Sequence, residues 1–201
     1  MTRSALIIAL AATIAGSSSS AQTLEDPGAS VRDWSGAYVG AGLAYSRQSP
    51  TDETGAFDLP STSGAGLSLL AGYSWQSENL VYGVEAVANF GNSTGTSACC
   101  TTEVDNFWLL RGRISQAFGD MLVSATLGVA ADQWSLSVPG DSASIRYTGI
   151  VWGAAAEKAL SDSVSLRGDL EYYDFNSRDN VTGGQVGYST NLIRLSVVQS
   201  F

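Results

Sequence analysis

Apolar and polar residues alternate with a period of two along most of the chain from Trp34 onward. This is the period of a β-strand with one apolar face, and helical periodicity is hard to find. The pattern predicts eight strands. They lie at about 36–46, 64–76, 80–90, 105–117, 121–134, 145–158, 164–176 and 185–201.

The predicted strands and their connections indicate a membrane-spanning architecture. Most strands are about twice the usual globular length and close to the ~9–11 residues that cross a bilayer at a tilt. Long connections at 47–63, 91–104, 135–144 and 177–184 alternate with short ones at 77–79, 118–120 and 160–163. Short turns on one rim and longer loops on the other are typical of outer-membrane barrels. We therefore expect an all-β fold, an eight-stranded antiparallel up-and-down transmembrane β-barrel.

The two faces of these strands differ in composition. One face is apolar, almost free of charge, and carries aromatic residues near the strand ends, as a lipid-facing band should. It includes Leu43, Leu67, Trp108, Leu110 and Ile114. A soluble lipocalin-type barrel would instead turn this face inward and its charges outward. In that fold lysine should be common on the charged face. The charged face carries no lysine, since Lys158 lies on the opposite face of its strand.

The other face combines small residues with charges of both signs. An eight-stranded barrel is just wide enough inside for side chains to fill it. Unpaired charges there would cost several kcal/mol each, so five acids beside four bases predict an interlocked structural network of ion pairs. The residues are Glu85, Arg111, Arg113, Asp132, Glu157, Arg167, Asp169, Glu171 and Arg194.

The N-terminal segment resembles a secretory signal peptide. Arg3 precedes a 12-residue apolar run, Ala5–Gly16, which is too short to span a bilayer as a helix, and Ser19-Ser20-Ala21 forms a small-x-small cleavage site. An uncleaved anchor helix is the alternative. We expect a signal peptide at 1–21, a flexible periplasmic lead-in at 22–33 and the barrel at 34–201.

Composition excludes several functions. The 201 residues hold ten Lys plus Arg, nineteen Asp plus Glu and no histidine, a net charge of −9. Nucleic acid is an unexpected partner for so acidic a chain. Without histidine there is no Ser-His-Asp or Cys-His catalyst and no histidine-ligated zinc. Asp169 and Glu171 could form an acid/base pair, but arginines on the same face favour a structural role. We expect no enzyme activity, no metal and no cofactor.

Cys99 and Cys100 are the only cysteines and lie in the second long connection. An exported loop is an oxidising environment, so free thiols are not the default there. A bridge between sequence neighbours would be strained, because their Cα atoms are about 3.8 Å apart. The pair is therefore a strained ring, incidental thiols, or a redox or intermolecular site.

Several segments resemble the small porin-like outer-membrane proteins of gram-negative bacteria, often called outer-membrane immunogenic proteins. These are "DWSGAYVGAGLAYS" (33–46), "AGYSWQSENLVYGVEA" (71–86), "LLRGRISQAFGDMLVSATLGVA" and "WGAAAEKALSDSVSLRGDLEYYDF" (152–175). The resemblance covers nearly all of the chain after the signal peptide. It implies an eight-stranded barrel in the outer membrane, with membrane lipid as its partner and no established catalytic activity.

The C-terminal strand resembles the signal that barrel-assembly machinery reads in this family. Phe201 is terminal and follows alternating Ile193, Leu195 and Val197, although the third position from the end is Gln199 where the family usually has an aromatic residue.

The sequence favours a structural or surface role in the envelope. The alternatives are a porin-like narrow channel for small solutes, a membrane-embedded enzyme and a soluble ligand-binding barrel.

Overall fold

The computed structural model describes residues 32–52, 61–91, 93–96, 101–104, 106–138, 141–179 and 185–201. Ten β-strands, numbered in chain order, lie in these ranges. They are β1 (Gly36–Asp52), β2 (Thr62–Ser77), β3 (Leu80–Phe90), β4 (Ser93–Thr96), β5 (Thr101–Val104), β6 (Phe107–Phe118), β7 (Met121–Val138), β8 (Asp141–Ala159), β9 (Val164–Asp179) and β10 (Gln185–Ser200). Within the same ranges, no helix is long and apolar enough to cross a membrane.

The eight long strands form one closed antiparallel ring. Each pairs with the next long strand along the chain, β3 with β6 included, and β10 returns to pair with β1. In the described ranges each long strand therefore has a paired neighbour on both sides, so the ladder satisfies its backbone hydrogen bonds internally, as a bilayer requires. The predicted eight-stranded up-and-down barrel is confirmed.

The strands reach further at one end of the barrel than the sequence predicts. β7 continues to Val138 and β8 starts at Asp141, where a connection was expected over 135–144. Residues 135–138 alternate serine with Leu136 and Val138 and contain no Pro or Gly, so nothing in them opposes continued pairing. We call this end the loop end, and the end with the short connections the turn end.

The short strands β4 and β5 are an element that the sequence pattern did not predict. They pair with each other, β4 pairs with β2 at Ser63↔Thr94, and β5 pairs with β7. They therefore continue the wall beyond β3 and β6, which end at the loop end before their neighbours do. Four-residue strands are too short for periodicity to reveal.

The two faces of the wall alternate as the sequence predicts. In β6, buried and exposed residues alternate without exception over 12 residues. The apolar residues of the outward face are exposed, with Leu43 68 % and Leu127 64 % accessible. This face forms a continuous band around the barrel that only hydrocarbon would cover favourably.

Candidate functional site

The middle of the barrel holds eight buried charged side chains, which we call the ion-pair layer. It contains four acids and four arginines, so it is neutral. Direct cross-strand neighbours supply three acid–arginine pairs: Glu85↔Arg111, Glu157↔Arg167 and Asp169↔Arg194. The remaining two members are Arg113 and Glu171.

Arg111 connects opposite sides of the interior. Its guanidinium group forms ion pairs with Glu85 on the neighbouring strand β3 and with Asp169 and Glu171 on β9, with Nη2 2.7 Å from Asp169 Oδ1. The Cα of Arg111 pairs with Gly128, which leaves room beside the arginine stem. Such a bridge is stable only because three carboxylates compensate the desolvation of one guanidinium group.

The other arginines complete the layer. Arg113 Nη2 lies 3.1 Å from Glu157 Oε2, and Arg194 Nη2 lies 2.9 Å from Glu171 Oε2. Arg167 contacts Glu85 and Glu157. Each of the four acids therefore contacts at least one arginine.

Two tyrosines that the sequence reasoning missed donate hydrogen bonds to this layer. The Tyr38 hydroxyl donates to Glu85 Oε2 at 3.0 Å, and the Tyr173 hydroxyl donates to Glu171 Oε2 at 2.6 Å. A Cβ at Gly72 would overlap the Tyr38 ring, so that glycine makes space for it. The alternation of the two faces could have revealed Tyr38, because it lies on the same face of the first strand as Gly40 and Gly42.

An aromatic layer covers the ion pairs on the loop-end side. Phe175 stacks on Tyr188 with ring centroids 4.5 Å apart, Tyr147 meets Tyr188 edge-on at 5.1 Å, and Phe107 meets Tyr173 edge-on at 5.4 Å. All five rings are buried. They lie between the ion-pair layer and the loop end.

Asp132, which the sequence grouped with the ion pairs, lies in this aromatic layer. The Tyr188 hydroxyl donates to its Oδ2 at 2.6 Å. Along β7, Asp132 is four residues nearer the loop end than Gly128, the partner of Arg111. Because Asp132 shares the inward face but lies outside the ion-pair layer, the inward face has five acids and four arginines. The ion-pair layer itself has four of each.

The turn end is closed by residues that precede the first strand, 32–35, which we call the strap. Trp34 is 9 % exposed and packs in an apolar cluster with Val81, Ala117 and Leu122. Its backbone N donates to Gln76 Oε1 at 2.6 Å. The strap thus inserts a large ring into the turn-end mouth.

Arg32 fastens the strap to the far side of the mouth. Its guanidinium group donates to the Ser161 carbonyl and, at 2.7 Å, to the Asp162 carbonyl in the β8–β9 turn. Its Cζ lies 4.8 Å from the Trp34 ring centroid, a cation–π distance. The sequence predicts a flexible lead-in up to residue 33 and does not indicate these contacts. They join residues that are 129 and 130 positions apart in the chain.

The remaining predicted site residues have different placements. Phe201 is 77 % exposed at the turn end, and its backbone N donates to the Ala37 carbonyl at 2.9 Å, which joins the last residue to the first strand. Cys99 and Cys100, and the predicted signal peptide at 1–21, lie outside the described residues. Among the described residues, no group of three His, Cys, Asp or Glu side chains could hold a metal ion.

A closed eight-stranded barrel with a charged, ordered interior and an apolar outer band is an integral membrane β-barrel. Residues 8–201 match the family described as outer membrane protein beta-barrel domain. The chain belongs to this family, and its location is the outer membrane, as the sequence predicted.

Named relatives agree with this assignment. The chain is 26 % identical over 172 residues to a 22 kDa outer membrane protein of Rhizobium leguminosarum bv. viciae, covering 84 % of this chain and 78 % of the relative. It is 25 % identical to a 25 kDa outer-membrane immunogenic protein of Brucella ovis, covering 77 % and 76 %. The predicted resemblance to immunogenic-type outer-membrane proteins is confirmed.

Solved structures share the fold. Neisserial surface protein A superposes with a TM-score of 0.55 at 16 % identity, covering 83 % of this chain and 98 % of that one. The attachment invasion locus protein of Yersinia pestis gives 0.54 at 14 % identity, covering 82 % and 98 %. At these identities the likeness concerns the barrel alone.

Proposed function

We propose that this protein is a structural barrel of the outer membrane that presents its loop end at the surface. It neither conducts solutes nor catalyses a reaction, and its main partner is membrane lipid. The observation that carries the proposal is the layering of the interior. A neutral ion-pair layer lies between the aromatic layer and the strap, and its arginines Arg111, Arg167 and Arg194 are at most 2 % exposed.

The same layering supports a noncatalytic role for the carboxylates. Asp169 and Glu171, the only acid/base pair that the sequence suggested, are both held by arginines. Both carboxylates are also buried, so a substrate does not reach them. The Brucella relatives are named immunogenic, which supports surface presentation.

A planar-bilayer conductance experiment tests the sealed interior. The purified wild-type barrel should give no reproducible unitary steps. Trp34→Ala, which empties only the turn-end mouth, should also give none, because the ion-pair layer and the aromatic layer remain in place. Trp152→Ala is the matched control, since this tryptophan is 56 % exposed on the outer face.

The competing function is a narrow channel for small solutes. Stable unitary steps in the wild-type protein would overturn the sealed barrel and favour that channel. Wild-type steps that Trp34→Ala leaves unchanged would show in addition that the strap does not close the conducting path.

We also propose that Phe201 is read by barrel-assembly machinery during biogenesis. Its side chain is the most exposed of the large apolar residues that the structure describes, which leaves it available to a partner. Deleting Phe201 should reduce the heat-modifiable barrel recovered in outer-membrane fractions. Unchanged recovery would contradict the proposal.

A further inference from the structure

Most of the cationic side chains that the structure describes already have partners. The four interior arginines belong to the ion-pair layer, Arg32 donates to carbonyls of the β8–β9 turn, and Lys158 contacts Asp120. Two exposed arginines on the outer face, Arg47 and Arg146, have no hydrogen bond or ion pair among the described residues. Both lie toward the loop end, so the unpaired positive charge of the described outer wall is at that end.

Arg47 lies directly beyond the aromatic border of the lipid-facing band. Tyr45, two residues before it on β1, is 54 % exposed on the same face, and Trp108 is 59 % exposed at the loop end of β6. Exposed aromatic residues of this kind mark the interface between hydrocarbon and head groups. Arg47 is therefore at the level of the head groups. Arg146 lies six residues beyond Trp152 on β8, about 20 Å along the strand, and is farther from the membrane.

Two polar neighbours extend the donor group of Arg47 across three strands. The ladder pairs Arg47 with Asn191 of β10 on one side and with Ser63 of β2 on the other, and all three side chains are exposed on the outer face. Directly paired residues have Cα atoms about 4.5–5.5 Å apart. Within the described ranges, none of the three side chains has a hydrogen-bond partner. A guanidinium group, an amide and a hydroxyl thus form one row of free donors, which we call the donor row.

The rows nearer to the membrane middle are apolar on the same three strands. Tyr45 pairs with Ile193, which is 59 % exposed, and Leu43 pairs with Leu67 and Leu195, which are 61 % and 57 % exposed. Hydrocarbon chains cover such side chains favourably. A positively charged donor row directly above an apolar wall is complementary to an amphiphile with an anionic, oxygen-rich head group.

We propose that the donor row binds the phosphate group of an anionic membrane lipid. The guanidinium group of Arg47 and the amide of Asn191 donate to phosphate oxygens, Ser63 Oγ donates to a third oxygen, and the acyl chains lie along Tyr45 and Ile193. Guanidinium and phosphate groups match in charge and in hydrogen-bond geometry. This site rests on the lipid partnership proposed above and makes it specific, because it names a head group and the residues that hold it.

Native mass spectrometry of the purified barrel in nonionic detergent tests the site. The protein is titrated with phosphatidic acid and, separately, with phosphatidylcholine, in which a choline group neutralises the head group. The wild type should bind the first phosphatidic acid more tightly than the first phosphatidylcholine. Glycerol phosphate, which has the head group without the chains, should not compete, because the apolar rows are part of the site.

Two variants test the donor row from different sides. Arg47→Gln removes the charge, so the affinity for phosphatidic acid should fall about fivefold, the factor expected for one arginine at an anionic lipid surface. Ser63→Asp places a carboxylate beside Arg47 and should lower the affinity at least as much. Arg146→Gln is the matched control, because it removes an equally unpaired outer arginine with the same change in net charge, and it should leave the affinity unchanged.

Several outcomes would overturn the site. These are equal affinities of the wild type and Arg47→Gln, an equal fall in Arg146→Gln, no preference of the wild type for phosphatidic acid, and competition by glycerol phosphate. Urea unfolding in phosphatidylcholine vesicles should not distinguish Arg47→Gln from the wild type, so a fall in affinity reports binding and not folding. Unitary conductance steps in the wild type would overturn the sealed barrel and leave a measured lipid preference standing.

Discussion

Leu110 and Arg111 are neighbours in β6 that occupy opposite environments. Leu110 is 59 % exposed on the outer face, whereas Arg111 is 2 % exposed and contacts three carboxylates. Hydrocarbon offers no partner for a charge, and the barrel interior supplies partners from β3 and β9. The difference shows that burial alone does not decide which residue is tolerated. The availability of a fixed counter-charge decides it.

Removing the inner charge should have the largest effect. Arg111→Leu leaves Glu85, Asp169 and Glu171 with fewer counter-charges, so we expect a loss of about 3–5 kcal/mol in folding free energy. Urea unfolding in lipid vesicles measures it. Arg47→Leu, the same change at an exposed position of β1, is the control. Equal stability of the two variants would show that the ion-pair layer contributes nothing.

Adding an outer charge should have the next largest effect. Leu110→Arg places a guanidinium group against hydrocarbon, at a cost of about 2–4 kcal/mol near the bilayer midplane. The fraction of compact barrel in an unboiled gel after folding into vesicles measures the loss. Leu80→Arg, at the turn end, should be milder because the penalty falls toward the interface. If both outer substitutions were silent, the face assignment would be wrong.

Removing a matched pair should cost less than removing either partner. Arg113→Met and Glu157→Met each leave one unbalanced charge, whereas the double variant keeps three acids and three arginines. A double-mutant cycle in urea should give a coupling of about 1–3 kcal/mol. Strictly additive losses would mean that the layer is a set of independent contacts.

An exposed pair should have the smallest effect. Lys158 Nζ lies 3.0 Å from Asp120 Oδ2 at the turn end, and its hydrogen bond and charge lower the pKa of the Asp120 carboxyl. A lowered pKa in the folded state means that this stabilisation is present at neutral pH and is lost as the pH falls through the folded-state value. Water screens the pair, so Lys158→Ala should not change unfolding at neutral pH beyond error. A loss comparable to that of Arg111→Leu would contradict the contrast between buried and exposed pairs.

The period of two was enough to predict the eight long strands and their two faces, and the alternating lengths of the connections indicated the barrel. It could not predict which acid meets which arginine, because Arg111 reaches β9 across the interior and the stagger of the strands sets that meeting. It also could not separate Asp132 from the ion-pair layer, since parity specifies the face and not the depth.

The elements that the sequence missed depend on contacts distant in the chain. β4 and β5 exist because β2 and β7 offer them partners, and the four-residue strands carry too little pattern of their own. The first half of the strap, Arg32 and Asp33, looked like the end of a flexible lead-in because residues 22–33 are polar and include Pro and Gly. Its order comes from Gln76 and from the β8–β9 turn, which no local pattern indicates.

The strap also determines how the barrel responds to force. Arg32 and Trp34 precede the first ladder residue of β1 and bind β2 and the β8–β9 turn, so they bridge over the junction between β1 and β10. A load applied to the N-terminal end of the chain reaches these contacts before any hydrogen bond between β1 and β10. Peeling of the first strand from the last therefore requires that Trp34 be withdrawn from its cluster beforehand.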